Sequence, residues 1–327
     1  MTRRSLGALS RRAFLGVLAA AGAAGVARPS PAPSLAPSLA PSPADAAPAP
    51  LRRAIPASGE SVPAIGMGTW ITFDVGADTA LRDQRAEVLK TFFAMGGAVV
   101  DSSPMYGSSE AVVGYGLKRL AAAGTPAAPV FAATKVWTPF TALGDGQMRN
   151  SRRLWGVRGF DLMQIHNMLN WEGHLPRLRD DKAAGRIRYV GVTTSHGRRH
   201  DVMARVMASE PIDAVQFTYN IVDREAEARL LPLAADRGLA VVINRPFRRK
   251  HLFHLFAHHP LPAWAAEIDC ANWAQFFLKF VVSHPAVTCA IPATSRVEHM
   301  RENMGALSGR LPDHAMRQRM IRYVESL

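Results

Sequence analysis

The chain has little cysteine, little acid and no long apolar run, and each shortage removes a class of protein. Cys270 and Cys289 are the only cysteines in 327 residues, too few to frame a disulfide-stapled fold. One precedes a helix and the other sits inside an apolar run, so they are expected to stay unbridged. The apolar stretch Val17 to Val26 is too short to cross a bilayer, and no stable membrane span is expected once a leader is removed. Asp and Glu number 26 against 39 Lys and Arg, a net charge of +13. Such a balance raises nucleic acid as a partner. The basic residues are scattered, however, apart from Arg248-Arg-Lys250, and form no nucleic-acid motif, so none is expected. No convincing Gly-x-Gly-x-x-Gly fingerprint is present. His251, His254, His258 and His259 lie among Phe and Leu without a paired acidic ligand, so no metal site is read there.

What is present begins with a leader. Ser10-Arg-Arg-Ala-Phe-Leu-Gly16 resembles the twin-arginine export signature, which implies the export machinery as a partner and a location outside the cytoplasm. Cleavage is compatible with Ala27 or with the Ala44-Asp-Ala46 triplet. Arg3, Arg4, Arg11, Arg12 and Arg28 against Asp45 place +4 of the +13 in residues 1–46, leaving +9 elsewhere. Residues 29–50 are almost wholly Pro, Ala, Ser and Leu, a spacer composition that cannot bury a core. The division read is a signal peptide and Pro/Ala-rich leader over 1–46, a linker and entry segment over 47–60, and a folded domain over 61–327.

From there the pattern is regular. Strands are expected at 64–69, 98–104, 130–136, 161–167, 189–194, 214–220, 240–246 and 288–293. Helices are expected at 80–95, 109–122, 141–155, 172–184, 198–208, 224–237, 263–282 and 296–306, with a last one near 312–325. The strands are apolar without period-two alternation, as in a parallel sheet covered by helices. Eight repeats of this length suit an α/β fold of the (β/α)8 TIM-barrel kind with an extra C-terminal helix. Barrel active sites lie at the C-terminal strand ends.

Four residues stand at or just beyond such ends. Asp101 closes the run Ala98 to Val100, and Tyr106 follows on a loop broken by Pro104 and Gly107. Lys135 ends the apolar run from Val130, and His166 ends the run from Leu162. A phenol is a poor acid at neutral pH. A nearby ammonium lowers its pKa, a carboxylate fixes that ammonium, and a neutral imidazole orients an oxygen. Together these groups could protonate a carbonyl oxygen while hydride reaches its carbon.

Here the chain resembles the aldo-keto reductase superfamily, from about Ile65 to Leu307. The matching pieces are Gly66-Met-Gly-Thr-Trp70, Asp101-Ser-Ser-Pro-Met-Tyr-Gly-Ser-Ser-Glu110, Thr134-Lys135, Gln164-Ile-His166, Gly191-Val-Thr-Thr194, Gln216-Phe-Thr-Tyr-Asn220, and Ile291-Pro-Ala-Thr294 with Glu302-Asn303. The resemblance implies a tetrad of Asp101, Tyr106, Lys135 and His166. It implies that Thr69, Thr193, Thr194 and Gln216 meet the cofactor, the last three at the nicotinamide carboxamide. Many relatives carry an aromatic residue where Asn244 stands, so Arg245 or Phe247 is expected to contribute instead. Arg248, Arg249 and Lys250 are left open between pyrophosphate and solvent. Thr294, Arg296, Glu302 and Asn303 are expected around the adenosine. Ala293 replaces a lysine and His299 an arginine of one branch, but Arg296 can grip a 2′-phosphate, which favours NADPH over NADH. Trp70, Phe73, Met105, Trp137 and Met168 are expected to wall a pocket for an apolar or ring-shaped carbonyl substrate. The expected activity is NADPH-dependent reduction of an aldehyde or ketone. The alternative is a nucleotide-binding sensor or accessory subunit with little turnover.

Overall fold

In the computed structural model, residues 50–124 and 130–327 are described. The leader expected at 1–46 lies outside them.

Eight parallel strands form the barrel: β3 (Met67–Gly68), β4 (Val99–Asp101), β5 (Phe131–Val136), β6 (Phe160–Ile165), β7 (Ile187–Thr193), β8 (Ala214–Thr218), β9 (Ala240–Asn244) and β10 (Cys289–Ala290). They are hydrogen-bonded in chain order. Parallel bridges between Ile65 and Ala290, and between Gly68 and Ala293, join the two ends and close the ring. This is the (β/α)8 architecture. The reason is plain in β5, whose six residues are all buried and which lacks the polar alternation of a strand with one wet face.

Helices follow the strands: α1 (Thr79–Ala94), α2 (Ser109–Ala122), α3 (Thr141–Trp155), α4 (Trp171–Ala183), α5 (His200–Ser209), α6 (Leu230–Asp236), α7 (His251–Leu255), α8 (Trp273–Val282) and α9 (Val297–Gly305), with α10 (His314–Glu325) added at the end. Local chemistry sets several boundaries. The Asp78 carboxylate caps α1 by accepting the Leu81 N–H, and Gly156 ends α3 in the left-handed region.

Three expectations change. The linker and entry segment expected over 47–60 contains β1 (Arg52–Ala54), which pairs with β2 (Ser61–Pro63) in an antiparallel hairpin. Ile55 and Val62 from it pack with Val99, Phe131, Leu162, Tyr189, Val242 and Cys289, sealing the floor of the barrel. The helix expected over 263–282 is a 3-10 turn at Ala263–Ile268 followed by α8. Asp269 breaks it at φ 50°, its carboxylate accepting from the Arg310 backbone N–H at 2.8 Å and guanidinium at 2.9 Å. The helix expected over 224–237 is likewise split into a 3-10 turn and α6. Cys270 and Cys289 are free and buried. No helix among the described residues is long and apolar enough to cross a membrane.

Candidate active site

At the C-terminal strand ends a cleft of about 1330 Å³ opens. Asp101, Tyr106 and His166 line it, and Lys135 lies fully buried beside them. Lys135 is the fifth residue of β5 and Asp101 the last of β4, so adjacent parallel strands bring their side chains together. Lys135 Nζ donates to Asp101 Oδ2 at 2.5 Å and to the Ser102 carbonyl at 2.9 Å. The other Asp101 oxygen, Oδ1, accepts from the Gln164 and Gln216 amides, each at 3.0 Å. A buried ion pair is tolerable only when its remaining lone pairs are satisfied, and these glutamines do that.

The electrostatics follow. Burial pulls the Lys135 ammonium down, but attraction to Asp101 and Tyr106 outweighs it, and the lysine ends above its ordinary value. The Tyr106 phenol moves up: burial dominates, while the Lys135 ammonium, 5.2 Å from the ring centroid, pulls the other way. The sequence argument expected Lys135 to win. Instead the phenol is held firmly protonated. His166 sits just past β6, in a 3-10 turn. Burial and the Lys135 charge lower its imidazole to about 3, so it is neutral. Its Nδ1 is 2.8 Å from Ser103 Oγ, and its ring meets Tyr106 edge-on at 5.6 Å.

Behind the tetrad Glu110 is buried, accepting from Thr134 at 2.7 Å, Ser151 at 2.9 Å and Trp155 at 3.3 Å. Burial raises its carboxyl pKa. The helix start at Ser108 to Glu110 signals a cap rather than this role, because the donors come from β5 and α3.

The cofactor-side expectations are all brought to the cleft: Thr69, Thr193, Thr194, Gln216, Asn244, Arg245, Phe247, Thr294, Arg296, Glu302 and Asn303 line it. Several have internal partners. Thr69 Oγ1 lies 3.0 Å from the Asp101 carbonyl and 2.8 Å from Ser102 Oγ, a clip between strand ends. Thr193 Oγ1 accepts the Asn167 N–H at 3.1 Å, and the Thr194 hydroxyl donates to the Arg198 carbonyl. The Gln216 amide is spent on Asp101 and Gln164. Asn244 donates to the Thr194 carbonyl at 2.9 Å and accepts from Thr218 at 2.8 Å. Arg296 pairs with Glu298 at the surface. Arg245 differs: its Nε is buried with no hydrogen-bond partner among the described residues.

Of the expected pocket wall, Trp70 and Met105 line the cleft, but three residues do not. Phe73 and Met168 are buried in the hydrophobic core. Trp137 is 40% exposed outside the cleft, its backbone N–H donating to Gln147 and its carbonyl accepting from it. Sequence reasoning missed Asn167, Ser195, His196, Arg198 and Arg199, which also line the cleft. Their only signal is a polar run past the ends of β6 and β7. Among the described residues, the segments after β3, β6, β7 and β9 also hold ten of the eleven non-glycine residues with positive φ, including Ile71, Asn167, Arg199 and Arg249. Backbone strain of this kind gathers at binding sites.

The profile of the aldo/keto reductase family matches residues 64–320. The chain belongs to that family. Membership makes it an NAD(P)H-dependent oxidoreductase acting on small carbonyl compounds. Relatives of this aldo/keto reductase include the NADH-specific methylglyoxal reductase of Escherichia coli (strain K12), 24% identical over 305 residues that span 76% of this chain and 91% of that protein. An aldo/keto reductase from Klebsiella pneumoniae, solved with NADP and acetate, superposes with a TM-score of 0.67 at 25% identity, covering 81% of this chain and 93% of that one. A Klebsiella pneumoniae aldo-keto reductase solved with NADPH gives 0.65, also at 25% identity, over 81% of this chain and 92% of that one.

Proposed function

We propose that this reductase uses NADPH to convert an aldehyde or ketone to an alcohol, with Tyr106 as proton donor. The observation that carries the reading is the Tyr106 ring in the cleft, 5.2 Å from Lys135 Nζ and edge-on to His166 at 5.6 Å, with Lys135 and Asp101 paired and buried behind it. NADPH, when bound, supplies the hydride to the carbonyl carbon. The remaining steps belong to the chain. Tyr106 gives its proton to the carbonyl oxygen, and the Lys135 ammonium stabilises the phenolate left behind. Asp101 keeps Lys135 charged and in place. Ser103 Oγ accepts the Met105 N–H at 3.2 Å, so its own proton is available to His166 Nδ1. With Ser103 donating to Nδ1, Nε2 would be the N–H nitrogen and a donor to the carbonyl oxygen.

The residues present fit a dinucleotide. The orphaned Arg245 Nε in a cation-lined cleft suits an anion. Thr193, Thr194, Gln216 and Asn244 would hold the nicotinamide end, and Thr294, Glu302 and Asn303 the adenosine, with Arg296 exchanging Glu298 for a 2′-phosphate. The NADP and NADPH of the Klebsiella pneumoniae structures support this choice; the NADH specificity of the Escherichia coli relative marks the competitor.

Tyr106→Phe is expected to lose reduction of a carbonyl panel while keeping NADPH binding, read as quenching of protein fluorescence. Unchanged turnover would sink the assignment. Cofactor retained by the wild type without any turnover would return the sensor reading. We further propose that residues 1–46 direct export through the twin-arginine route, supported by Ser10-Arg-Arg-Ala-Phe-Leu-Gly16. Replacing Arg11 and Arg12 together by lysine should trap a reporter fusion in the cytoplasm; continued export would refute it.

A further inference from the structure

Arg249 stands apart from the other cations of the cleft. It follows β9, yet its guanidinium carbon lies 4.0 Å from the centroid of the Trp70 ring, which follows β3. That ring is in turn 6.5 Å from the ring of Tyr106. A single aromatic side chain therefore separates this cation from the proton donor. Among the described residues no carboxylate lies within ion-pairing distance of Arg249, whereas its neighbour Arg248 is matched to Asp223 at 3.3 Å. Like charges crowd around it: Arg245, Arg249 and Arg198 all disfavour a charge on His196, after burial itself. Asp223, already paired with Arg248, is the acid that counters Arg245.

A guanidinium lying over an aromatic face keeps its N–H groups at its edge, free to grip a carboxylate with two parallel hydrogen bonds. Arg245 adjoins Asn244 at the end of β9 and has the orphaned Nε, so it is the cation placed for the cofactor. Trp70, which Arg249 covers, follows β3 and lines the same cleft beside Tyr106.

We propose that Arg249 sets substrate choice: the reductase takes carbonyl compounds that also carry an anionic group, a carboxylate attached to a ring or comparable apolar body. The carboxylate rests on the Arg249 edge, the body lies along Trp70, and the carbonyl oxygen meets Tyr106 and His166. This rests on the reductase reading above and adds the class of substrate to it.

The test compares two aldehydes of one shape and different charge, 4-carboxybenzaldehyde and 4-methylbenzaldehyde, with the full chain and saturating NADPH. The wild type should favour the carboxylate in kcat/KM by about tenfold or more, the scale of a charge-assisted hydrogen bond. Arg249→Gln should bring that ratio close to one, chiefly through KM, and Arg249→Lys should keep part of it because charge remains without the fork. NADPH affinity is measured alongside. A wild type without preference, or a ratio untouched in Arg249→Gln, overturns the proposal. So does a ratio kept while NADPH affinity collapses, since Arg249 would then serve the cofactor. If NADPH binds and neither aldehyde turns over, the reductase reading fails separately. Arg249 is then tested by tryptophan quenching in the NADP+ complex with 4-(hydroxymethyl)benzoate and the neutral 4-methylbenzyl alcohol. An Arg249-dependent advantage for the benzoate supports the anion site, and no advantage rejects it.

Discussion

Lowering the pH should destabilise this barrel through one imidazole, and the size of the effect follows from its surroundings. His166 is 6% exposed and is held at about 3 by burial and the Lys135 ammonium, against 6.5 for an ordinary histidine. A depressed histidine binds its proton more weakly folded than unfolded. Its contribution to stability is therefore full above pH 6.5 and is lost as pH falls toward 3. The whole loss amounts to about 5 kcal/mol, and roughly 2 kcal/mol of it is spent by pH 5. The perturbation is His166→Gln, which leaves an amide for the Ser103 hydroxyl. The assay is urea unfolding of both proteins at pH 8 and pH 5. The wild type should lose about 2 kcal/mol more than the variant over this interval, the remaining histidines cancelling between them. Equal losses would mean that His166 is not held neutral by burial, and the hydrogen-bonding role given to its Nε2 would fall with it.

Other perturbations follow from the same packing. Asp101→Asn strands a buried ammonium and should cost about 3–5 kcal/mol in urea unfolding. Burial raises the Glu110 carboxyl, so its folded form prefers the proton and stability falls as pH climbs from 4.5 through the raised value. Glu110→Gln should accordingly match or exceed the wild type at pH 8, with the difference shrinking toward pH 4. Arg317→Met removes a cation that bonds Ser283 Oγ at 2.9 Å and Glu227 at 3.0 Å, and should lower stability by roughly 2–3 kcal/mol in the same assay.

The barrel is legible in the sequence because its strands are buried on both faces. Phe131 to Val136 could be little else. The tetrad is legible for a similar reason: Asp101 and Tyr106 are close in sequence, and Lys135 and His166 are polar residues at or just past the ends of apolar runs. The hairpin at 52–63 is not, since Arg52-Arg-Ala54 shows no alternation and is ordered by the floor it covers. The break at Asp269 has neither Gly nor Pro to announce it, because Arg310, forty-one residues on, holds the turn. Phe73 and Met168 illustrate a different limit. Position near a strand end tells where a residue is, not which way its side chain points, and both turn inward to the core. The arginines of the rim are hidden by company: in a chain of net +13, Arg249 looks like any other surface cation until its stacking on Trp70 is seen.

The sealed floor also bears on where the proton of the proposed reaction comes from. Below Asp101 lies a mostly apolar layer, running from Ile55 and Val62 of the hairpin to Val99, Phe131, Val242 and Cys289. Apart from Tyr189, Thr288 and Cys289 its side chains are apolar, and none of them is hydrogen-bonded to the Asp101 or Lys135 side chain. On the proposal that Tyr106 is the proton donor, it is recharged from the open end, through the space the alcohol occupies. Departure of the product and restoration of the acid become successive events at one doorway. Each turnover is reset only after the doorway clears.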